Sequence, residues 1–190
     1  MSYLINPYMV QAAAVAGGKW EFIDEDILTG SSTSLTVSFT NVNFSDVMAF
    51  VIVFRGGDTA NQDQLLRIGN SGSVISGSVY EQHGIINQAN SATYYNSSYG
   101  ESHWDLDNSN FGGLAFGICH VTYNPVKERP QMTQMLVSDN THGGTRTMAG
   151  FWSGGWLDDS TLTSLGDVTV TSSNNFQAGS SLFVYKVLNA

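Results

Sequence analysis

Basic residues are scarce in this chain: seven Lys and Arg stand against sixteen Asp and Glu in 190 residues, a net charge of −9. No Lys/Arg cluster is available to neutralise a run of phosphates, which argues against a nucleic-acid partner. The same balance disfavours an anionic membrane surface. Charge of either sign is thin, at 12 % of residues, about half the usual share. Solubility therefore rests on Ser, Thr, Asn and Gly. The single cysteine, Cys119, excludes an intrachain disulfide. It lies in the apolar run from Leu114 to Val121 and reads as a buried structural thiol. No stretch approaches the 18 apolar residues of a membrane-spanning helix. Residues 1–16 have no basic n-region and only the short small-residue run Ala12 to Ala16, so no signal peptide is expected and the chain is expected to be made in a cytoplasm. The sequons at Asn43 and Asn96 are discounted on that ground.

Catalytic and metal motifs are also missing. There is no Gly-x-Ser-x-Gly elbow and no His-Glu-x-x-His helix. His83, His103, His120 and His142 form no ligand pair at close spacing. Asp105-Leu-Asp107-Asn-Ser109-Asn110 starts like a calcium loop, but Asn110 stands where the turn glycine is needed and Phe116 where the twelfth ligand is needed. A turn-capping role fits it better. Asp24, Glu25 and Asp26, or Asp158 and Asp159, are candidate carboxylate pairs for glycoside hydrolysis. Adjacent acids in a strand point to opposite faces, and nothing nearby would desolvate one of them. No catalytic residue, metal or cofactor is expected.

What the chain does have is alternation. Leu35, Val37 and Phe39 alternate with Thr36, Ser38 and Thr40 as a half-buried strand does. Val47 to Phe54 is apolar on both faces and reads as a central strand. Trp20 to Leu28, Leu65 to Ile68, Val74 to Val79, Leu114 to Tyr123, Met132 to Val137 and Thr145 to Met148 are further strand candidates. Val168 and Val170 alternate with Thr169 and Thr171, Ser-Ser-Asn-Asn breaks the strand, Phe176 supplies an apolar plug, and Gly179 turns the chain into a closing strand through Leu182 and Val184. The last two are expected to pair as neighbours. About ten short strands and no secure helix predict an all-β fold, an antiparallel sandwich over residues 19–190 arranged as a jelly roll, behind an N-terminal arm over residues 1–18. Pro7, Tyr8, Met9 and Val10 give the arm an apolar patch for docking on a neighbour or on its own domain.

From Tyr80 to Gly113 the periodicity fades and the segment reads as loops with short strands. It holds Tyr94, Tyr95, Tyr99 and Trp104, while a Gly-rich loop over residues 150–160 holds Phe151, Trp152 and Trp156. Exposed aromatics among Asn, Ser and Gly can stack on sugar rings or anchor an interface; packing over the sandwich ends is the plainer alternative.

The pattern Phe176-x-Ala-Gly-Ser-x-apolar-x-apolar-Tyr185 at the end of a β-rich chain resembles the last strands of jelly-roll modules in bacteriophage virion proteins. The resemblance covers about 24 residues, Leu162 to Tyr185, with a weaker match at Trp20 to Asp24. It implies a non-enzymatic virion structural protein, assembled in the host cytoplasm, homotrimeric, and held to other virion proteins. The role implied is a tail-fibre head or receptor-binding domain meeting a host surface glycan or protein. A capsid-decorating (cement) protein of the same fold is the nearest alternative. From another class, a carbohydrate-binding module would predict glycan affinity lost on Trp104→Ala or Trp152→Ala.

Overall fold

The apolar alternation folds into strands that pair in nested order. In the computed structural model, which describes residues 19–57, 64–88, 94–107, 113–140, 146–156 and 162–189, four strands run into the fold: β1 (Trp20–Ile27), β2 (Ser32–Asn43), β3 (Val47–Gly57) and β4 (Gln64–Asn70). Next come β5 (Ser73–Val74), β6 (Tyr80–Gln88), β7 (Tyr94–Glu101) and β8 (Trp104–Asp107). The chain continues through β9 (Gly113–Asn124), β10 (Arg129–Asn140), β11 (Arg146–Trp156), β12 (Ser164–Phe176) and β13 (Ser181–Leu188). The first strand pairs with the last, β2 with β12, β3 with β9, and β4 with β8, all antiparallel. Rolling this long hairpin places β13 between β1 and β3, and β12 between β2 and β4. That is the pairing scheme of a jelly roll, and the two sheets form the expected all-β sandwich. The larger sheet runs β1-β13-β3-β9-β10-β11-β6-β7; the smaller runs β2-β12-β4-β5, with β8 also on β4.

The core lies between the sheets. Leu35, Val37, Leu66, Ile68, Val168 and Val170 from the smaller sheet meet Phe50, Ile52, Phe54, Cys119, Val121, Leu182 and Val184 from the larger. Cys119 is buried, as its apolar run implies. Phe176 is the plug expected of it: fully buried, with its ring edge-to-face on Phe54 at 5.8 Å. Gly179 takes φ +89°, a region closed to most side chains.

Several expectations are corrected. Strands β12 and β13 are not neighbours; the connection carrying Phe176 crosses from one sheet to the other, so the two strands face each other across the core. Ser-Ser-Asn-Asn does not end β12, which runs on to Phe176 through an irregular stretch where its register on β2 shifts. Val74 to Val79 is a strand only at Ser73–Val74, because Gly77 sits in a turn before Tyr80. The segment from Tyr80, expected to hold loops with short strands, is strand over most of its described length, as β6, β7 and β8, whose polar residues pair through their backbones. The Gly-rich stretch from Gly150 to Trp156 is likewise strand, part of β11. Between β9 and β10 the chain turns at Pro125, with Asn124 Oδ1 accepting the backbone N–H groups of Val126 and Lys127 at 3.0 and 3.1 Å. The arm residues Pro7, Tyr8, Met9 and Val10 lie outside the described residues.

Replacing the plug tests this packing. Phe176→Ala is expected to lower stability in urea unfolding by about 3–5 kcal/mol, whereas Val126→Ala, at an 86 % exposed position, is expected to change it by less than about 0.5 kcal/mol.

Candidate interaction face

A sandwich strand with a solvated outer side alternates apolar-in with polar-out. Strands β3 and β13 do not. Phe50, Ile52 and Phe54 face the core, yet Ala49, Val51 and Val53 on the other side are apolar too. In β13, Leu182 and Val184 point inward while Phe183, Tyr185 and Val187 point outward. The outward set forms a second cluster: Ala49, Val51, Tyr185 and Val187 are buried, and Trp20, Val53, Ile118 and Phe183 pack against them. Trp20 stands edge-on to His120 at 6.3 Å, and Phe22 edge-on to Tyr185 at 5.5 Å. The larger sheet therefore carries apolar surface on both faces.

The strand registers extend that surface. Phe183 lies opposite Val53, Val53 opposite Ile118, Ile118 opposite Met135, Met135 opposite Phe151, and Phe151 opposite Ile85. This is one apolar row crossing six strands. Two residues along each strand, on the same face, runs a parallel row: Tyr185, Val51, His120, Thr133, Ser153, His83 and Ser97. Burial declines outward along the apolar row; Phe151 is 64 % exposed, Ile85 44 % and Met135 43 %. Val137, also exposed, widens the row on β10. Ile118, His120, Thr133, Gln134, Met135 and Phe151 line a shallow depression of about 420 Å³ at its centre. Neither row contains an Asp, Glu, Lys or Arg. No single strand shows this surface, because it exists only once the register is known. Its legible traces are the doubled apolar runs in β3 and β13 and the aromatic Phe151.

The aromatics singled out from the sequence fall differently. Tyr99 is exposed on β7, with its ring edge-on to His83 at 5.0 Å. Tyr94 and Tyr95 are on β7, in register with Ile86 and Ile85, and Trp152 and Trp156 on β11, in register with Gly84 and Tyr80; their side chains lie outside what is described. Trp104 is the correction. It is fully buried, edge-on to Tyr80 at 5.0 Å, and its Nε1–H donates to the Glu81 carbonyl at 3.1 Å. Strand β8 pairs with β4 in the smaller sheet and turns Trp104 inward. Gly154 on β11 makes room for it, since a Cβ there would stand 2.8 Å from the indole nitrogen. A buried indole is no stacking platform, and Trp104→Ala would probe the core.

Beside Trp104 lies a polar network. Asp105 accepts from the buried Gln82 amide and gives its own backbone N–H to Gln82 Oε1 at 2.8 Å. His103 Nε2 is 3.0 Å from Asp105 Oδ1, and His103 Nδ1 is 3.1 Å from Ser102 Oγ. Arg67 Nε donates to the Ser102 carbonyl at 3.0 Å. Ser, His and Asp thus stand in line, but Ser102 and His103 are chain neighbours in the tight bend between β7 and β8. The bonds tie that bend to β4 and β6. Asp105 is used here rather than as a cap of its own loop. On β1, Asp26 accepts the Thr36 backbone N–H at 2.8 Å and covers part of the β2 edge. Asp158 and Asp159 lie outside the described residues. Among the described residues no group of three His, Cys, Asp or Glu could hold a metal ion. Comparisons with protein-family models, with curated proteins and with solved structures find no match.

Burial pushes the Cys119 thiol and the Tyr80 phenol well above their ordinary values; at Tyr80 the Ile68 backbone and the Arg67 charge oppose the shift without cancelling it. Both groups keep their protons in the folded chain and release them at ordinary values when it unfolds. The folded state then holds more protons, so stability falls as pH rises above about 9. Stability against urea should be level from pH 7 to 8 and decline through pH 10 and 11. At pH 8 a thiol reagent should modify Cys119 only in the denatured chain.

Proposed function

We propose that this chain is a non-enzymatic structural subunit of a bacteriophage particle, a jelly-roll domain of the tail-fibre-head or receptor-binding kind, exposed on the virion and built to assemble. The observation that carries the reading is the outer face of the larger sheet, an apolar row of six strands without a formal charge. A contiguous exposed apolar surface marks a place of contact. Depletion of charge at its centre is the composition of an assembly interface. The C-terminal resemblance supplies the class. Its residues form β12 and β13, each set between two partners in its own sheet. Fold alone does not give function, so the proposal rests on that face and that resemblance together.

The test is location. Antiserum raised against the purified chain, applied to intact particles in immunogold electron microscopy, is expected to label the tail or its tip. Label over the shell would replace the fibre role with the capsid-decorating one. Particles without label, under an antiserum that detects the purified chain, would contradict the proposal.

A further inference from the structure

We infer that the outer face of the larger sheet is where copies of this chain meet, so that the occupant of the row Ile118, Met135, Phe151 and Ile85 is the same face of a second copy. This deepens the assembly reading above and rests on it only in taking the face as a contact surface. Three observations select a second copy.

The first is charge. Each chain carries −9, so copies repel wherever acidic surfaces approach. Strand β1, with Glu21, Asp24, Glu25 and Asp26, is such a surface. The two outer rows hold none of these charges, with Arg55 and Glu81 flanking them on the same face and Glu25 opposite Phe183 at the β1 end; like-charged copies can come into contact along the rows at the least electrostatic cost.

The second is extent. Beyond the buried cluster, the face from β9 to β7 spans five strands, and β7 is eight residues long. At about 4.8 Å per strand and about 3.3 Å per residue this is roughly 600 Å², or about 1,200 Å² over two copies, the lower end of the range of stable protein interfaces.

The third is continuity and shape. The exposed part of the row runs without a break into the buried cluster of Val51 and Tyr185, so a covering copy would extend an apolar core that already exists. The row is straight and the adjoining row offers hydroxyl and imidazole groups at His120, Thr133, Ser153 and His83. Such a surface can serve as both halves of a closed symmetric contact.

The experiment is molar mass by light scattering behind size exclusion, on the full chain over a hundredfold range of concentration. The wild type is expected at twice 20.5 kDa, the mass that a same-face contact closes. Phe151→Lys, at an exposed position, should keep its melting temperature within a few degrees at concentrations where both chains are dissociated. It should also weaken association at least a hundredfold, giving the monomer mass across the range. Val126→Lys, in the exposed turn between β9 and β10, should leave the wild-type mass unchanged. The double substitution Tyr8→Ser, Met9→Ser should also leave it unchanged. A monomeric wild type would overturn the inference. So would a Phe151→Lys chain that still associates, or loss of association in the Tyr8→Ser, Met9→Ser chain, which would assign the contact to residues 1–18. Failure here with gold label on particles sinks the copy–copy contact alone; a Phe151-dependent oligomer without label sinks the virion reading alone.

Discussion

The structure depends on one closure, that of the first strand against the last. Trp20 lies opposite Val187 and Ile27 opposite Ser181, so pairing β1 with β13 joins residues more than 150 positions apart. Every other pair of the jelly roll is nested inside it. Strand β13 also holds β3, and through β3 it holds β9. Strand β12 does the same for β2 and β4 on the opposite side. The C-terminal strands therefore lock both sheets. The connection between them, with Phe176 buried and Gly179 in the left-handed region, is the point where the sheets are fastened together.

Insertions within the nested scheme explain why the larger sheet outgrows the smaller. Strands β10 and β11 are added after β9, and β6 and β7 are added between β4 and β8; together they extend one sheet to eight strands against five. The inner side of the extension is covered by β8 and by the cluster of Trp104, Tyr80, Gln82 and Asp105. Gln134 on β10 reaches across to the Leu106 carbonyl at 3.0 Å. The outer side of the same strands is the apolar row. The insertions thus do two things at once: they bury an indole on one face and present Met135, Phe151 and Ile85 on the other.

How much of this was legible in the sequence followed from where each residue's environment comes from. Strand β2 and the central residues of β12 carry their own alternation, while β3 and β13 show unbroken apolar runs; all four were readable. Strands β6, β7 and β8 are rich in Gln, Asn, Ser and Gly, with little alternation; β6 and β8 are held by β11 and β4, far along the chain, and β7 by its chain neighbour β6. Trp104 looked exposed because its neighbours in sequence are polar; its neighbours in space, Tyr80 and Gly154, are what bury it. The connection from Phe176 to Gly179 has the same turn chemistry whether it joins two strands of one sheet or crosses between sheets, so local pattern could not distinguish a hairpin from a crossing. The outer row needed five registers and no single segment encodes it.

The account stands most directly on whether the outer face is covered when copies associate. Oxidative footprinting of methionine over a dilution series reads this at one side chain. Met135 is in the row; Met48 is 61 % exposed and outside it. The predicted result is that Met135 oxidises readily in dilute solution and becomes protected at least tenfold as concentration rises, while Met48 oxidises at one rate throughout. Equal rates for the two at every concentration would contradict the account.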